Sequence, residues 1–360
     1  MDDRFVAVEN EPGEKSGAAL QSFAMQDMPM GKQPLGMDPG VPSKPPGRPS
    51  VITRIFRNRF GHFRAGWRTT FYGATVAILL VPFGLAVAAL QGEGAAPFIS
   101  WLGSLTWVAG DFAMVLAAAL LLGLIDRRRF AMLGLWFERR WPVELLIGLA
   151  GGLILTALLV TVAAATGSVS IRLAADPVAS LRMLPVLAWL FLVAAMLEEL
   201  LFRGYILQAL AEGTRGWFAT LVTTLGFTWA HAGNPDLNAV GLSNIFLAGL
   251  LLAVLYFHTR RLWLPIGFHF SWNLCQSWLW GFDVSGIRIP SSLFEAVPHD
   301  ADLITGGEFG LEGSILSTAA FVALIVWLQW AKPIRPVDEV ASMWAIYPTG
   351  FGAGPTGADQ

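Results

Sequence analysis

Residues 184–212 read LPVLAWLFLVAAMLEELLFRGYILQALAE, an apolar stretch that carries charged side chains near its middle. An α-helix rises about 1.5 Å per residue, so this stretch is longer than the roughly 30 Å of hydrocarbon in a bilayer. Its residues Glu198, Glu199 and Arg203 are ionisable, and such a side chain inside a membrane costs about 2.5–3.5 kcal/mol on insertion scales. Charged residues at this depth face a protein or water-filled interior, and they mark a functional site.

The composition of the whole chain is that of a membrane protein. Of its 360 residues, 54% are hydrophobic and 14% are charged, and the mean hydropathy is +0.56. The formal net charge of −2 gives no electrostatic support for binding nucleic acid, so we expect no nucleic acid partner. The lipid bilayer is the expected surroundings of most of the chain. The one cysteine, Cys275, excludes an internal disulfide framework.

Apolar stretches close to the length of a membrane helix recur along the chain. They predict an all-α fold, a polytopic membrane helix bundle of about eight transmembrane helices. The predicted spans are 69–91, 103–125, 143–166, 184–212, 215–233, 241–258, 262–282 and 313–331.

Basic residues lie mostly in alternate connections between these spans. Short connections rich in arginine and lysine stay in the cytoplasm, so we expect a multi-pass protein of the cell membrane with both termini cytoplasmic. The basic groups precede the first span and follow the second, sixth and eighth: Arg54, Arg57, Arg59, Arg64 and Arg68; Arg127, Arg128, Arg129, Arg139 and Arg140; Arg260 and Arg261; Lys332 and Arg335.

The fourth and fifth spans bring a glutamate and a histidine to the same level. Glu199 and Arg203 lie four residues apart on one helical face and can pair, while Glu198 points about 100° away and has no local cation. The turn between the two spans lies near 213–216, about sixteen residues from both Glu198 and His231. In an antiparallel hairpin these two side chains are therefore level, roughly 25 Å from the turn.

The seventh span adds His269 and Asn273, which share a helical face at a spacing of four residues. His269 is only about eight residues, roughly 12 Å, from the preceding turn at Arg260 and Arg261. The hairpin of spans four and five must therefore project beyond the bilayer for Glu198 and His269 to meet.

These residue types permit hydrolysis. A glutamate held apart from its charged neighbour can act as general base, and a histidine beside it can share the attacking water molecule. A second histidine and a carboxamide are suitable hydrogen-bond donors to the oxyanion of a tetrahedral intermediate. Glu199 and Arg203 would support the site by fixing the helix and the orientation of Glu198.

Three motifs occur in order on successive spans: Glu198-Glu199-x-x-x-Arg203, Phe227-x-x-x-His231 and His269-x-x-x-Asn273. This series resembles the CPBP family, the CAAX prenyl endopeptidase type with its bacterial relatives, also labelled intramembrane metalloproteases or abortive-infection proteins. The resemblance implies an intramembrane peptidase with a catalytic cavity open to the cytoplasm. It also implies that Glu198 and His231 activate water and that His269 and Asn273 stabilise the oxyanion.

The resulting division of the chain has three parts. Residues 1–52 have no helical or strand period and a composition typical of a disordered tail, which we expect to be cytoplasmic. Residues 53–331 would form the transmembrane protease domain, with 184–282 as its motif core, and 332–360 a cytoplasmic carboxy-terminal tail. The substrate would be a peptide or protein, and the sequence leaves open whether it is lipidated.

Several alternatives stay open at this point. Glu198, His231 and His269 form a two-histidine, one-carboxylate set that could hold zinc, although the sequence has no His-Glu-x-x-His motif. A non-catalytic membrane scaffold or immunity factor of the same fold is a second hypothesis. A proton-coupled transporter that titrates Glu198 is a third, weakened by the absence of an internal repeat. Asp111 in the second span has no assigned role.

Overall fold

The structure is a computed structural model of the 360-residue chain. The predicted tails lie, but for residues 50–52, outside the residues that it describes, and the tail predictions stay predictions. The described residues are 50–57, 63–91, 97–125, 133–137, 139–289, 291–299 and 302–331.

The described chain is mostly helical, and every predicted span coincides with a helix. Long apolar runs without helix-breaking clusters account for this agreement. The α-helices are α1 (Val51–Phe56), α2 (Ala65–Gln91), α3 (Pro97–Ile125), α4 (Trp141–Ala165), α5 (Pro177–Glu199), α6 (Leu207–Gly213), α7 (Gly216–Ala230), α8 (Ala239–Thr259), α9 (Trp263–Leu274), α10 (Asp302–Thr305) and α11 (Ile315–Ala331).

Four helical stretches in the described part of the chain are long and apolar enough to cross a membrane: Ala65–Ala86, Trp141–Ala165, Pro177–Gly213 and Ala239–Thr259. The apolar helices Val108–Leu121 and Ile315–Ala331 are shorter. The molecule is therefore a helical membrane bundle, and the number of eight transmembrane helices stays a prediction.

The overlong fourth span is a continuous rod made of α5, a π-helical segment at Leu200–Ile206, and α6. Asp176 caps its start by accepting a hydrogen bond from the Ala179 amide at 2.9 Å, and Pro177 follows as the first helical residue. Insertions of π-helix are rare and occur frequently at functional sites, because they turn the side chains that follow relative to those that precede. The segment begins directly after Glu198 and Glu199.

The prediction of an all-α fold is wrong in one respect. A two-stranded antiparallel sheet joins β1 (Val169–Leu173), after α4, to β2 (Phe294–Pro298) in the connection before α11. The register places Val169 opposite Pro298 and Leu173 opposite Phe294. Both strands are short and lie between helices, where backbone groups still need partners, and Val169 and Ile171 suit a half-buried strand.

Candidate active site

Three helices bring one ionisable side chain each to a common point. Glu198 stands at the end of α5, His231 directly after the last residue of α7, and His269 midway along α9. The Oε2 atom of Glu198 lies 3.8 Å from Nε2 of His231 and 3.8 Å from Nε2 of His269. This oxygen is buried and has no hydrogen-bond partner, although 26% of the Glu198 side chain is exposed.

Glu199, the next residue, has a fully buried side chain. Its Oε1 atom accepts a hydrogen bond from Nη1 of Arg203 at 2.8 Å, so the predicted ion pair is confirmed. The same oxygen accepts a hydrogen bond from Nδ1 of His269 at 3.0 Å. Glu199 therefore orients His269, whereas the sequence led us to expect that the pair orients Glu198. The reason is that α9 packs directly on α5, which sequence spacing does not reveal.

Arg203 has partners on two further helices. Its Nη2 atom donates to the carbonyl of Gly249 in α8 at 2.9 Å, and its guanidinium lies 4.6 Å from the ring centroid of Phe227 in α7. A methyl group at Gly249 would lie 3.2 Å from both Phe227 and Thr224, so glycine keeps the carbonyl within reach. One buried cation thereby connects α5, α7 and α8 around the site.

The two histidines differ in what holds their Nδ1 atoms. Nδ1 of His231 is 2.8 Å from the carbonyl oxygen of Phe227, one turn earlier in α7. A carbonyl and a carboxylate can only accept, so Nδ1 carries the proton in both His231 and His269. The Nε2 atoms then face Glu198. His231 is thus held by a neutral carbonyl and His269 by the carboxylate of Glu199.

Asn273 lies one turn after His269 on α9, and 9% of its surface is exposed. Within the described residues its side chain makes no hydrogen bond, so its amide is available to a bound molecule. The structure places Asn273 on the same helix as His269, and Asn273 makes no hydrogen bond with Glu198 or His231.

His269 lies roughly 12 Å along its helix from the turn between α8 and α9, whereas Glu198 and His231 lie roughly 25 Å from the turn between α6 and α7. The hairpin of α6 and α7 makes up this difference in length. The side chain of Leu262, in the turn between α8 and α9, lies 3.4 Å from a methyl group placed at Gly204. From Gly204 the rod continues to Gly213, roughly 13 Å of helix. The hairpin of α6 and α7 therefore extends past the α8–α9 turn, as the meeting of Glu198 with His269 requires. Its position relative to a bilayer stays a prediction.

Zinc does not fit this arrangement of Glu198, His231 and His269. Ligand atoms about 2.0–2.1 Å from a tetrahedral zinc lie roughly 3.4 Å apart, less than the 3.8 Å between Glu198 Oε2 and each Nε2 atom. No group of three or more histidine, cysteine, aspartate or glutamate residues in the described ranges is arranged to hold a metal ion. The spacing of these three residues therefore does not match a tetrahedral zinc site.

Sequence reasoning missed a second buried ion pair near the site. Arg261, two residues before α9, pairs with Glu144 in the first turn of α4, and their side chains are 1% and 7% exposed. The sequence interpretation placed Arg261 in a cytoplasmic connection because it follows the sixth span. The acidic residue in the third span was the signal that could have found the pair. Asp111 is partly exposed on α3 and makes no hydrogen bond or ion pair with the described residues.

Comparisons with known proteins match the segment that carries the site. The family model "Type II CAAX prenyl endopeptidase Rce1-like" matches residues 180–275. The chain is also 38% identical over 82 residues to "Putative membrane peptidase YdiL" of Bacillus subtilis (strain 168), which covers 23% of this chain and 32% of that relative. The chain thus spans about a third of the length of the relative that it matches. No solved structure matches significantly. The segment 180–275 belongs to the CPBP family, as its three ordered motifs predict.

Proposed function

We propose that this protein is a membrane-embedded endopeptidase that hydrolyses a peptide bond with water activated by Glu198 and His231. The observation that carries the proposal is the Oε2 atom of Glu198, buried without a hydrogen-bond partner and 3.8 Å from two histidine nitrogens. Two atoms at this spacing can both lie about 2.8 Å from one water oxygen. The family match to endopeptidases supports the same activity.

In the first step, the water molecule donates one hydrogen bond to Glu198 and the other to Nε2 of His231. Because Nδ1 of His231 donates to the Phe227 carbonyl, Nε2 keeps its lone pair and can accept. Glu198 takes a proton as the water oxygen attacks the peptide carbonyl carbon. General-base assistance of this kind contributes about 10²- to 10⁴-fold in rate.

In the second step, the carbonyl oxygen becomes an oxyanion that needs hydrogen-bond donors. His269 can donate from Nε2 when both of its ring nitrogens carry a proton, because Nδ1 already donates to Glu199. The Asn273 amide, which has no partner among the described residues, is the second donor. Protonated Glu198 then gives its proton to the leaving amine as the peptide bond breaks. No covalent acyl-enzyme forms.

The substrate is a peptide or protein segment that reaches the membrane, and we propose that it enters from the cytoplasmic side. The matching family is described as prenyl endopeptidases, so lipidated peptides belong among the candidates. The amino-acid sequence of the peptide and the presence of a lipid group can be varied independently. Both can be tested with the same purified protein.

The test is cleavage of a peptide library, half of it farnesylated, by the full-length protein purified in detergent. Mass spectrometry would compare wild type with Glu198→Gln and His231→Ala, each with and without a strong chelator. His299→Ala is the matched histidine control, because His299 lies outside the site and bonds to Ser170 at 2.7 Å. We expect cleavage by wild type and by the control, loss in both site variants, and no effect of the chelator.

Two results would count against the proposal. Cleavage that survives Glu198→Gln would contradict water activation by this carboxylate. An empty profile from wild type and all variants would favour the non-catalytic scaffold of the same fold. If wild type cleaved without the chelator and lost cleavage when the chelator was added, a metal ion would take part in the reaction.

A further inference from the structure

Helices α4 and α9 pack with their backbones in direct contact. A methyl group at Gly152 would lie 2.7 Å from the carbonyl oxygen of Phe268 and 2.7 Å from the amide of Trp272. A methyl group at Gly148 would lie 2.7 Å from the amide of Phe268 and closer still to the carbonyl of Leu264. Glycines four residues apart let two membrane helices approach this closely.

Two polar contacts fix the register of the same helix pair. Ser271 in α9 donates from its hydroxyl to the carbonyl of Leu149 in α4 at 2.7 Å. The buried pair of Glu144 and Arg261 ties the first turn of α4 to the residues before α9. Glycine contacts set the separation of the helices, and these contacts set their relative height.

The contact between α4 and α9 acts on one half of the site, the half that α9 carries. Within the described residues α4 packs extensively along α9 but not along α5 or α7. His269 and Asn273 stand on α9, whereas Glu198 stands on α5 and His231 follows α7. A change in the α4 contact therefore moves His269 and Asn273 relative to Glu198 and His231.

We propose that Gly148 and Gly152 are positioning residues for the reaction, which hold the oxyanion donors of α9 in place against the water-activating pair. This inference rests on the proposed function. It assigns a role to a helix outside residues 180–275, the segment that the family model covers.

The size of the effect follows from the geometry. Carbon atoms in good contact with their neighbours lie about 3.5–4.0 Å away, so a methyl group at Gly152 must push α9 outward by roughly 1 Å. Misplacement of reacting groups by 1 Å costs about 10²-fold in rate. Substrate binding elsewhere is unaffected, so the loss should fall on kcat and leave KM nearly constant.

The first experiment compares four glycine variants of the full-length protein in detergent, using the best peptide that wild type cleaves in the library. Gly73→Ala in α2 is the control, because nothing lies within 4 Å of a methyl group there. Gly151→Ala, 3.2 Å from the Phe268 ring, should cost a few-fold because a ring can move. We expect kcat to fall about 10²-fold in Gly152→Ala and at least as far in Gly148→Ala.

A gentler variant covers the case in which the alanine proteins do not fold. Ser271→Ala removes the hydrogen bond to Leu149 without adding volume, and we expect kcat to fall several-fold at unchanged KM. Equal kcat in Gly73→Ala, Gly152→Ala and Ser271→Ala would overturn the positioning role. So would a rise in KM that accounts for the whole loss.

The second experiment needs no substrate, and it separates a failure of this inference from a failure of the proposed function. The chain has five histidines, so ¹⁵N-histidine NMR spectra of the detergent-solubilised protein can be assigned by single substitutions. We expect Gly152→Ala to shift the His269 signals and leave those of His231 in place, with no change in Gly73→Ala. Unchanged His269 signals would refute the positioning role even if wild type is a peptidase. Shifted signals without any cleavage would refute the peptidase alone.

Discussion

The two neighbouring glutamates at the end of α5 occupy two different regions of the site. Around Glu199 the protein is closed: the side chain is fully buried and bonds to Arg203 at 2.8 Å and to His269 at 3.0 Å. Around Glu198 it is partly open, and the nearest charged or titratable groups are two histidine nitrogens at 3.8 Å. Both Oε2 atoms lack a hydrogen-bond partner, so the difference lies in exposure: the Glu199 side chain is 0% exposed and fixes geometry, whereas the Glu198 side chain is 26% exposed and can meet water and substrate.

The largest expected effect is the loss of activity in Glu198→Gln. The amide keeps the shape of the side chain but cannot take a proton from water, so we expect kcat to fall by about 10⁴-fold. Because Glu198 makes no hydrogen bond through its buried oxygen, the thermal unfolding midpoint in detergent should stay within a degree or two of wild type. A large drop in that midpoint would show that Glu198 belongs to the structural region instead.

Asn273→Ala should have the next largest effect on activity. Removal of one oxyanion donor costs about 10²- to 10³-fold in kcat. Its side chain has no hydrogen bond to lose among the described residues, so unfolding should be nearly unchanged. Steady-state kinetics beside a thermal scan checks both points. A variant that folds normally and keeps full kcat would remove Asn273 from the site.

Glu199→Gln should lower stability markedly and activity less, the reverse of what we expect for Glu198→Gln and Asn273→Ala. It leaves the guanidinium of Arg203 buried without its counter-ion, and breaking a buried pair in this way costs about 3–5 kcal/mol. We expect a marked fall of the unfolding midpoint and, because His269 loses its charged acceptor, a loss of kcat smaller than in Asn273→Ala. An unfolding midpoint equal to that of Glu198→Gln would contradict the claim that Glu199, unlike Glu198, stabilises the structure.

The smallest effect is expected for Glu212→Gln, which separates the loss of a buried ion pair from the loss of the site. Glu212 pairs with Arg68 at 2.7 Å near the tip of the hairpin, and its side chain is 9% exposed. We expect a lower unfolding midpoint than in wild type and a kcat within about twofold. A fall in kcat as large as in Glu199→Gln would mean that the loss of any buried ion pair lowers kcat, wherever the pair lies.

Sequence reasoning predicted the features that depend on one helix or one hairpin. Hydrophobic length located the helices, a spacing of four residues paired Glu199 with Arg203, and equal distances from a turn placed Glu198 beside His231. Each of these follows from the fixed rise and turn of an α-helix. In an antiparallel hairpin, residues equally far from the turn lie at the same level, so the fixed rise also relates two helices.

Features that depend on helices far apart in sequence could not be predicted in the same way. The contact of Glu199 with His269 and the pairing of Glu144 with Arg261 need the packing of α9 on α5 and on α4. Hydrophobic helices carry little information on which neighbour they choose, because lipid and protein are equally apolar. The glycines of α4 were the local sign of a close neighbour, but they do not say which helix it is.

The most direct test of the account is the fate of water oxygen during cleavage, since the central claim is direct attack by a water molecule that Glu198 activates. Wild type would turn over its best peptide in ¹⁸O-labelled water, and mass spectrometry would follow both the product and the intact protein. We predict one ¹⁸O atom in the new carboxyl terminus, no covalent adduct on the protein during turnover, and no label incorporation with Glu198→Gln. An acyl adduct that accumulates on wild type, or labelled product from Glu198→Gln, would contradict the account.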